Sequence, residues 1–309
     1  KIFMRNNFIH LHLHSEYSIS DSLIRINNLI EKVSETNSPS VSITDHNNIF
    51  SLVKFYKLAI KNGVKPIIGI EIDMIDSADT DKLSRAVLLC KNMVGFNNLS
   101  NLITDSYVNL NESNKFLVSK EELAKRSDGL IALSGGIYGD LANTLRTGND
   151  DLINSSINYW KKNFPESFYI EITRTGKDFE DEYISHAIEI SEKHNIPIVA
   201  SNDVRFINKK DYQAHEVRVC INNGSYLKDE KRKSEYNENQ YLKSSEEMQE
   251  LFSDIPSAVE NSCEIAKRCN VQLALGDIAM PIFPLDNAQN ENEYFESLVK
   301  LSLNNKIAD

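Results

Sequence analysis

Glycine, proline and tryptophan are scarce in this 309-residue chain, at 11, 7 and 1 residues. That scarcity excludes collagen-like repeats and low-complexity linkers, and 41% hydrophobic with 26% charged residues is the balance of an ordinary globular protein. No apolar run approaches the ~18 residues of a membrane span. The opening Lys1 to Phe8 also lacks the apolar core of a signal peptide, so a cytoplasmic location without a membrane partner is expected. The 4 cysteines, Cys90, Cys220, Cys263 and Cys269, form neither a C-x-x-C pair nor a disulfide ladder, which fits buried thiols in a reducing compartment. Positive charge is in short supply, with 34 Lys and Arg against 45 Asp and Glu and a net charge of -11. A protein that grips nucleic acid by its phosphates carries a basic stripe, so any such contact here must be local.

What is present is a series of short, β-branched apolar runs: Phe8 to His14, Val41 to His46, Pro66 to Ile72, Ala86 to Lys91, Leu130 to Ser134, Phe168 to Ile172 and Ile196 to Ser201. Between most of them apolar residues recur at helical spacing, as in Leu23-Ile26-Leu29-Ile30-Val33, Ile49-Leu52-Val53-Tyr56-Ala59 and Tyr183-Ile184-Ala187-Ile188-Ile190. Strands alternating with helices predict an α/β protein built of parallel β/α units, a distorted (β/α)7 barrel. Two helices follow an irregular charged stretch from Leu227 to Gln240. They are Ser245 to Phe252 and Ile255 to Cys269, the second with Pro256 in its first turn. Met280-Pro281-Ile282-Phe283-Pro284 then reads as a linker, and the last residues begin an element that stops at Asp309.

Three of the seven histidines, His10, His12 and His14, alternate with Ile9, Leu11 and Leu13. On a strand this sends the imidazoles to one face and toward a barrel mouth, while the apolar face suits helix packing. Thr44-Asp45-His46, Glu71 and Asn202-Asp203 close other strands, and Asp21 lies just beyond the first. Taken singly, Asp21 and Asp45 read as salt-bridge partners or as caps of the first and second helices. Gathered at one barrel face, these mixed N and O donors suit Zn, Mn or Fe and the activation of water on phosphoryl groups. His215, within Ala-His-Glu-Val-Arg, reads as a mouth residue or a hydrogen-bonded core residue. Lys228 to Lys233 reads as a solvated charge run, and Ser134-Gly135-Gly136 as a weak phosphate-turn signal.

These residues have a family resemblance. His12-Leu13-His14-Ser15 with Asp21, Thr44-Asp45-His46-Asn47, Pro66 to Glu71, Ala132 to Gly136 and Asn202-Asp203 resemble, in order, the motifs of the polymerase and histidinol phosphatase (PHP) domain. More narrowly, Leu52 to Tyr56, Gly95 to Leu99, Ala214 to Arg218, Glu264 to Cys269 and the Ile282-Phe283-Pro284 linker look like the N-terminal region of the bacterial replicative DNA polymerase III alpha subunits. The resemblance implies a PHP domain over 1–278, then a linker and the truncated start of a polymerase palm over 279–309. It implies Mg for the parent polymerase, and DNA bound through that parent rather than through this segment. The palm of the same chain and a proofreading exonuclease subunit are the implied partners.

Carried over residue by residue, the family's metal ligands match His12, His14, Asp21, His46, Glu71 and Asp203, implying Zn, Mn or Mg at a partial site. Three further ligand positions hold Arg85, Gly136 and Arg205 instead. An arginine has no lone pair to give a metal. It pairs readily with a carboxylate, and Glu71 and Asp203 are the candidates. The resemblance therefore implies a degraded metal site with a mainly structural and partner-binding role. The alternative is a metal-dependent phosphoesterase or 3'-5' exonuclease with a reduced cluster.

Overall fold

A computed structural model describes residues 8–76, 79–108, 116–229, 232, 234–276, 278, 280–281, 283–285 and 290–307. Phe8 to His14, predicted as the first strand, pairs through a single isolated bridge between Leu13 and Val204. Its backbone nonetheless touches two neighbours, because Ser42 N donates to His10 O at 3.0 Å and Val204 N to His12 O at 3.2 Å. A bend at His12 breaks the predicted alternation.

From there α1 (Ile26–Glu35) buries Ile26, Leu29, Ile30 and Val33, the predicted helical stripe. It leads into β1 (Ser40–Ile43), α2 (Leu52–Lys61) and β2 (Lys65–Asp76), with β1 and β2 parallel. Neither predicted cap holds. Arg25 and Ser51 occupy the N-cap positions of α1 and α2, and no side chain caps either helix. Next, β3 (Asp79–Cys90) returns antiparallel along β2 with Asp73 opposite Arg85 and Gly69 opposite Leu89. This departs from the predicted run of parallel units, since a connection this short admits a hairpin and no crossover helix.

After α3 (Met93–Val108), the two-residue β4 (Val118–Ser119) pairs with β2 and leads into α4 (Lys120–Lys125). Then come β5 (Leu130–Leu133), α5 (Asp140–Thr147), α6 (Asp150–Asn163), β6 (Phe168–Thr173), α7 (Glu180–His194) and β7 (Ile198–Ser201). Among the described residues the sheet order is β1-β2-β3-β5-β6-β7, with β4 on β2. The Phe8 to His14 segment lies between the ends of this order, so the sheet curls into a distorted barrel.

Ile67, Val87, Leu89, Ile131, Leu133, Tyr169 and Val199 share one cluster with Ile9 and Leu11. Ile9 and Leu11 therefore face the barrel interior, not the helices as the alternation suggested, while Leu13 packs with α1 and α2 residues. Beyond α8 (Tyr212–Asn223) and α9 (Ser245–Leu251), α10 (Pro256–Arg268) adds Cys263, Ile265 and Ala266 to the same cluster. It seals the end where the strands begin: Lys65 Nζ donates to Ala266 O at 2.7 Å, Asn261 Nδ2 to Ile198 O at 2.7 Å and Arg268 Nη1 to Tyr169 Oη at 2.7 Å. The other end is left as a mouth. Residues 273–309 form a separate compact unit containing α11 (Glu291–Ile307).

Candidate metal centre at the barrel mouth

Strand register decides which side chains reach the mouth. Opposed residues share a face, so pairing Glu71 with Val87, Asp73 with Arg85 and Glu171 with Val199 puts all of these on the inner face. Apolar residues fill its lower layers, and Glu71, Asp73, Arg85 and Glu171 stand above them.

His12, His14 and Glu71 meet there. His14 Nε2 lies 3.3 Å from His12 Nε2, and the Glu71 oxygens lie 3.4 Å from His12 Nε2 and 3.5 Å from His14 Nε2. The three are buried, with one donor atom each inside a 4.8 Å group. The 3.3 Å between the two ring nitrogens is close to the ~3.4 Å edge of a tetrahedron built on ~2.1 Å metal–ligand bonds, and Glu71 turns a different oxygen to each ring, so the trio offers donors for one ion.

His12 Nδ1 donates to Glu171 Oε1 at 2.8 Å. Burial alone would lower the His12 pKa, but Glu171, with Glu71 and Asp203, raises it to about 10. His14 goes the other way: burial and the adjacent Arg205 guanidinium hold it well below the usual imidazole value, and its Nδ1 accepts from Arg205 Nη1 at 2.8 Å.

The remaining matched residues lie around this trio in a different arrangement. His46 Nδ1 is 3.5 Å from Asp21 and its Nε2 is 3.0 Å from Asp73. Because these contacts use opposite ring nitrogens, Asp21 and Asp73 do not share an ion with one nitrogen of His46. Burial opposes the His46 charge, and the two carboxylates raise its pKa to about 9. Asp203 lies 3.6 Å from His12, but Arg205 Nε and Nη2 sit on its Oδ1 at 2.8 and 2.6 Å. Burial would push the Asp203 carboxyl up, yet Arg205, Lys177 and His12 hold it well below the carboxylate range. Arg85 bridges Glu71 at 3.5 Å and Asp73 at 3.4 Å. Gly136, at φ 55°, has nothing within 4 Å of where a Cβ would stand.

Other residues fall elsewhere. His10 joins neither His12 nor His14; its Nε2 donates to Lys243 O at 2.9 Å, and burial lowers its pKa to about 4. Asp45 is a buried hub that accepts from Ser15, Ser18 and Ser51 hydroxyls. His215 is a core residue that donates to Asp21 O at 2.8 Å. The Lys228 to Lys233 run lies partly outside the described residues, and its Arg232 pairs with Glu216.

Sequence reasoning missed Glu171, Asp73, Lys177, Tyr236 and Gln240. Two carried a signal: Asp73 follows Glu71 by two residues, and Glu171 is the one charge inside the apolar run Phe168 to Ile172. The mouth thus sets Asp21, Glu71, Asp73, Glu171 and Asp203 against Arg85, Arg205, Lys177 and the imidazoles of His12 and His46, whose pKa values the carboxylates raise.

Comparison with known proteins covers the same ground. Among curated relatives, the DNA polymerase III subunit alpha of Pseudomonas fluorescens is 40% identical over 295 residues, 96% of this chain and 25% of that protein. That of Escherichia coli K12 is 38% identical over 301 residues, 97% of this chain and 26% of that protein. The chain spans about a quarter of the length of the curated relatives it matches. Among solved structures, an amidohydrolase from Chromobacterium violaceum aligns with a TM-score of 0.42 and 13% identity, over 68% of this chain and 96% of that one. The PHP domain family matches residues 10–175, more than half the sequence and the mouth from His12 to Glu171, and the chain belongs to that family.

Proposed function

We propose that this chain forms the N-terminal PHP domain, over 1–278, of a bacterial replicative DNA polymerase III alpha subunit, followed over 279–309 by a linker and the start of the palm. Supporting this, relatives named as that subunit are 38 to 41% identical across 90 to 97% of the chain. The domain serves chromosomal replication in the cytoplasm by supporting the palm of its own chain and offering a surface to the proofreading exonuclease subunit. Polymerisation, with its Mg, belongs to the whole subunit. DNA is held there too, since a net charge of -11 gives this segment no general grip on phosphates.

In this reading the mouth is a degraded metal site. The observation that carries it is Arg205 seated on Asp203. A guanidinium on one matched ligand, with Arg85 on Glu71, supplies the counter-charge that a cluster would bring and repels further cations. His12, His14 and Glu71 would hold at most one Zn, Mn or Mg ion. A single ion polarises a phosphoryl oxygen or activates water, but the two-metal clamp on attacking and leaving oxygens is gone. Around it, Glu171 orients His12, whereas Arg205, donating to His14 Nδ1, leaves the His14 ring proton on Nε2, so that bond must be released before His14 Nε2 can take an ion.

The His12-His14-Glu71 group also favours a second reading, a phosphoesterase or 3'-5' exonuclease with a reduced cluster. Incubation with bis(p-nitrophenyl) phosphate and Mn or Zn separates the two. The structural reading expects hydrolysis at background, and turnover abolished by His14→Ala supports the enzyme.

A further inference from the structure

Segment 234–243 runs across the barrel mouth outside every named strand, fixed by backbone bonds. Gln240 O accepts from Arg205 N at 2.8 Å, Leu242 N donates to Phe206 O at 3.0 Å, and Phe206 and Tyr241 form a bridge. Asn202 Nδ2 donates to Asn239 O at 2.9 Å and Tyr241 O at 2.8 Å. This backbone pairing delivers two side chains to the site. Gln240, fully buried, donates from Nε2 to Asp203 Oδ2 at 2.8 Å. Tyr236 donates from its hydroxyl to Asp21 Oδ1 at 2.9 Å, with its ring 5.5 Å from the Arg205 guanidinium and edge-on to His215 at 4.7 Å.

The two contacts complete a pattern. Asp203 Oδ1 is taken by Arg205, and its Oδ2 by Gln240 with Lys177 at 3.4 Å. Asp21 Oδ2 faces His46 and Arg205, each at 3.5 Å, and its Oδ1 faces Tyr236. Both oxygens of both carboxylates are therefore engaged. Without Gln240 and Tyr236, Asp203 Oδ2 would keep only the 3.4 Å contact with Lys177 and Asp21 Oδ1 only the 3.5 Å contact with the Ser20 hydroxyl.

Resting on the ion-paired reading above, we propose that Gln240 and Tyr236 are positioning residues that hold Asp203 and Asp21 turned toward Arg205 and closed to a divalent cation. Neither side chain adds charge, so they act by occupying lone pairs and fixing rotamers. The strap is then the uncharged half of the device whose charged half is Arg205.

A Mn2+ titration of the 309-residue chain, read by electron paramagnetic resonance, tests this in the parent, in the double variant Tyr236→Phe/Gln240→Leu, and in Asn239→Ala. The last removes the strap's side-chain bond to Thr175 O and touches neither carboxylate. The double variant should bind Mn2+ about tenfold more tightly than the parent, with Asn239→Ala within about twofold of it. Unchanged affinity in a double variant whose near-UV circular dichroism is native overturns the proposal. An equal gain in Asn239→Ala also overturns it, since that marks general loosening of the strap. If the double variant does not fold, Tyr236→Phe, which removes one oxygen, is read by the same comparison. A parent chain that already binds two or more ions tightly fails the ion-paired reading instead, so the two failures are distinct.

Discussion

Asp203 and Arg205, two residues apart in the chain, form a closed ion pair in which one carboxylate oxygen receives both the Nε and the Nη2 of the guanidinium, at 2.8 and 2.6 Å. Arg205 is almost fully buried, so its charge is stable only with partners, and His14 and Asp21 complete them.

Removing the guanidinium leaves buried carboxylate charge with less compensation. Arg205→Ala should lower unfolding stability by ~3 to 5 kcal/mol, the usual cost of taking one partner from a buried pair. Urea unfolding reads this directly. A loss below ~1 kcal/mol would mean that Lys177 and Gln240 suffice for Asp203.

Stability should peak near neutral pH in chelator-containing buffer. His12 and His46 have folded pKa values raised to about 10 and about 9. Their contribution is complete below the unfolded value of ~6.5 and is lost as pH rises through the folded values. Neutral His10, lowered to about 4, and His14, held well below its usual value, act oppositely and cost stability as pH falls below ~6.5. The depressed carboxyls of Asp21, Glu71 and Asp203 contribute fully above ~4 and fail as pH drops further. Thermal midpoints from pH 4 to 10 should therefore fall on both sides of pH 6 to 7. A midpoint that keeps rising to pH 9 would contradict the charged state assigned to His12.

Glu171 heads the favourable influences on His12, acting through charge and a 2.8 Å hydrogen bond. Glu171→Gln should move the His12 titration down, as followed by ring NMR shifts. A His12 titration that stays where it was would place the source of its charge in Glu71 and Asp203.

Replacing both guanidinium groups by imidazole places donors at two positions where the family resemblance implies ligands. Arg85→His/Arg205→His should bind more metal per chain than the parent, counted by elemental analysis. No gain in a folded double variant would show that the arginines are not what keeps cations out.

Much of this fold is readable along the chain because burial imposes period. Ile26, Leu29, Ile30 and Val33 mark α1, and Pro256 marks the start of α10. The β2–β3 hairpin was hidden because Asp73 to Arg85 is long enough for a helix and holds no Gly, Pro or Asn to mark a tight turn. At the site, His12, His14 and Glu71 were legible from strand-end position. His10 was not separable from them, since the bend at His12 that diverts it is set by tertiary contacts with Val204 and Thr44. Gln240 and Tyr236 arrive from a stretch without periodicity, and only backbone pairing with Arg205 and Phe206 brings them to the mouth. Alternation finds strand residues and is blind to straps.

The central claim is that arginine–carboxylate pairs stand where a metal cluster would. Metal content by inductively coupled plasma mass spectrometry, on chain purified without chelator, tests it most directly. The account predicts about one divalent ion per chain or none, with any bound ion lost on His14→Ala. Two or three ions per chain would contradict it, because Asp203, Asp21 and Glu71 would then be holding metal while their guanidinium partners lie elsewhere.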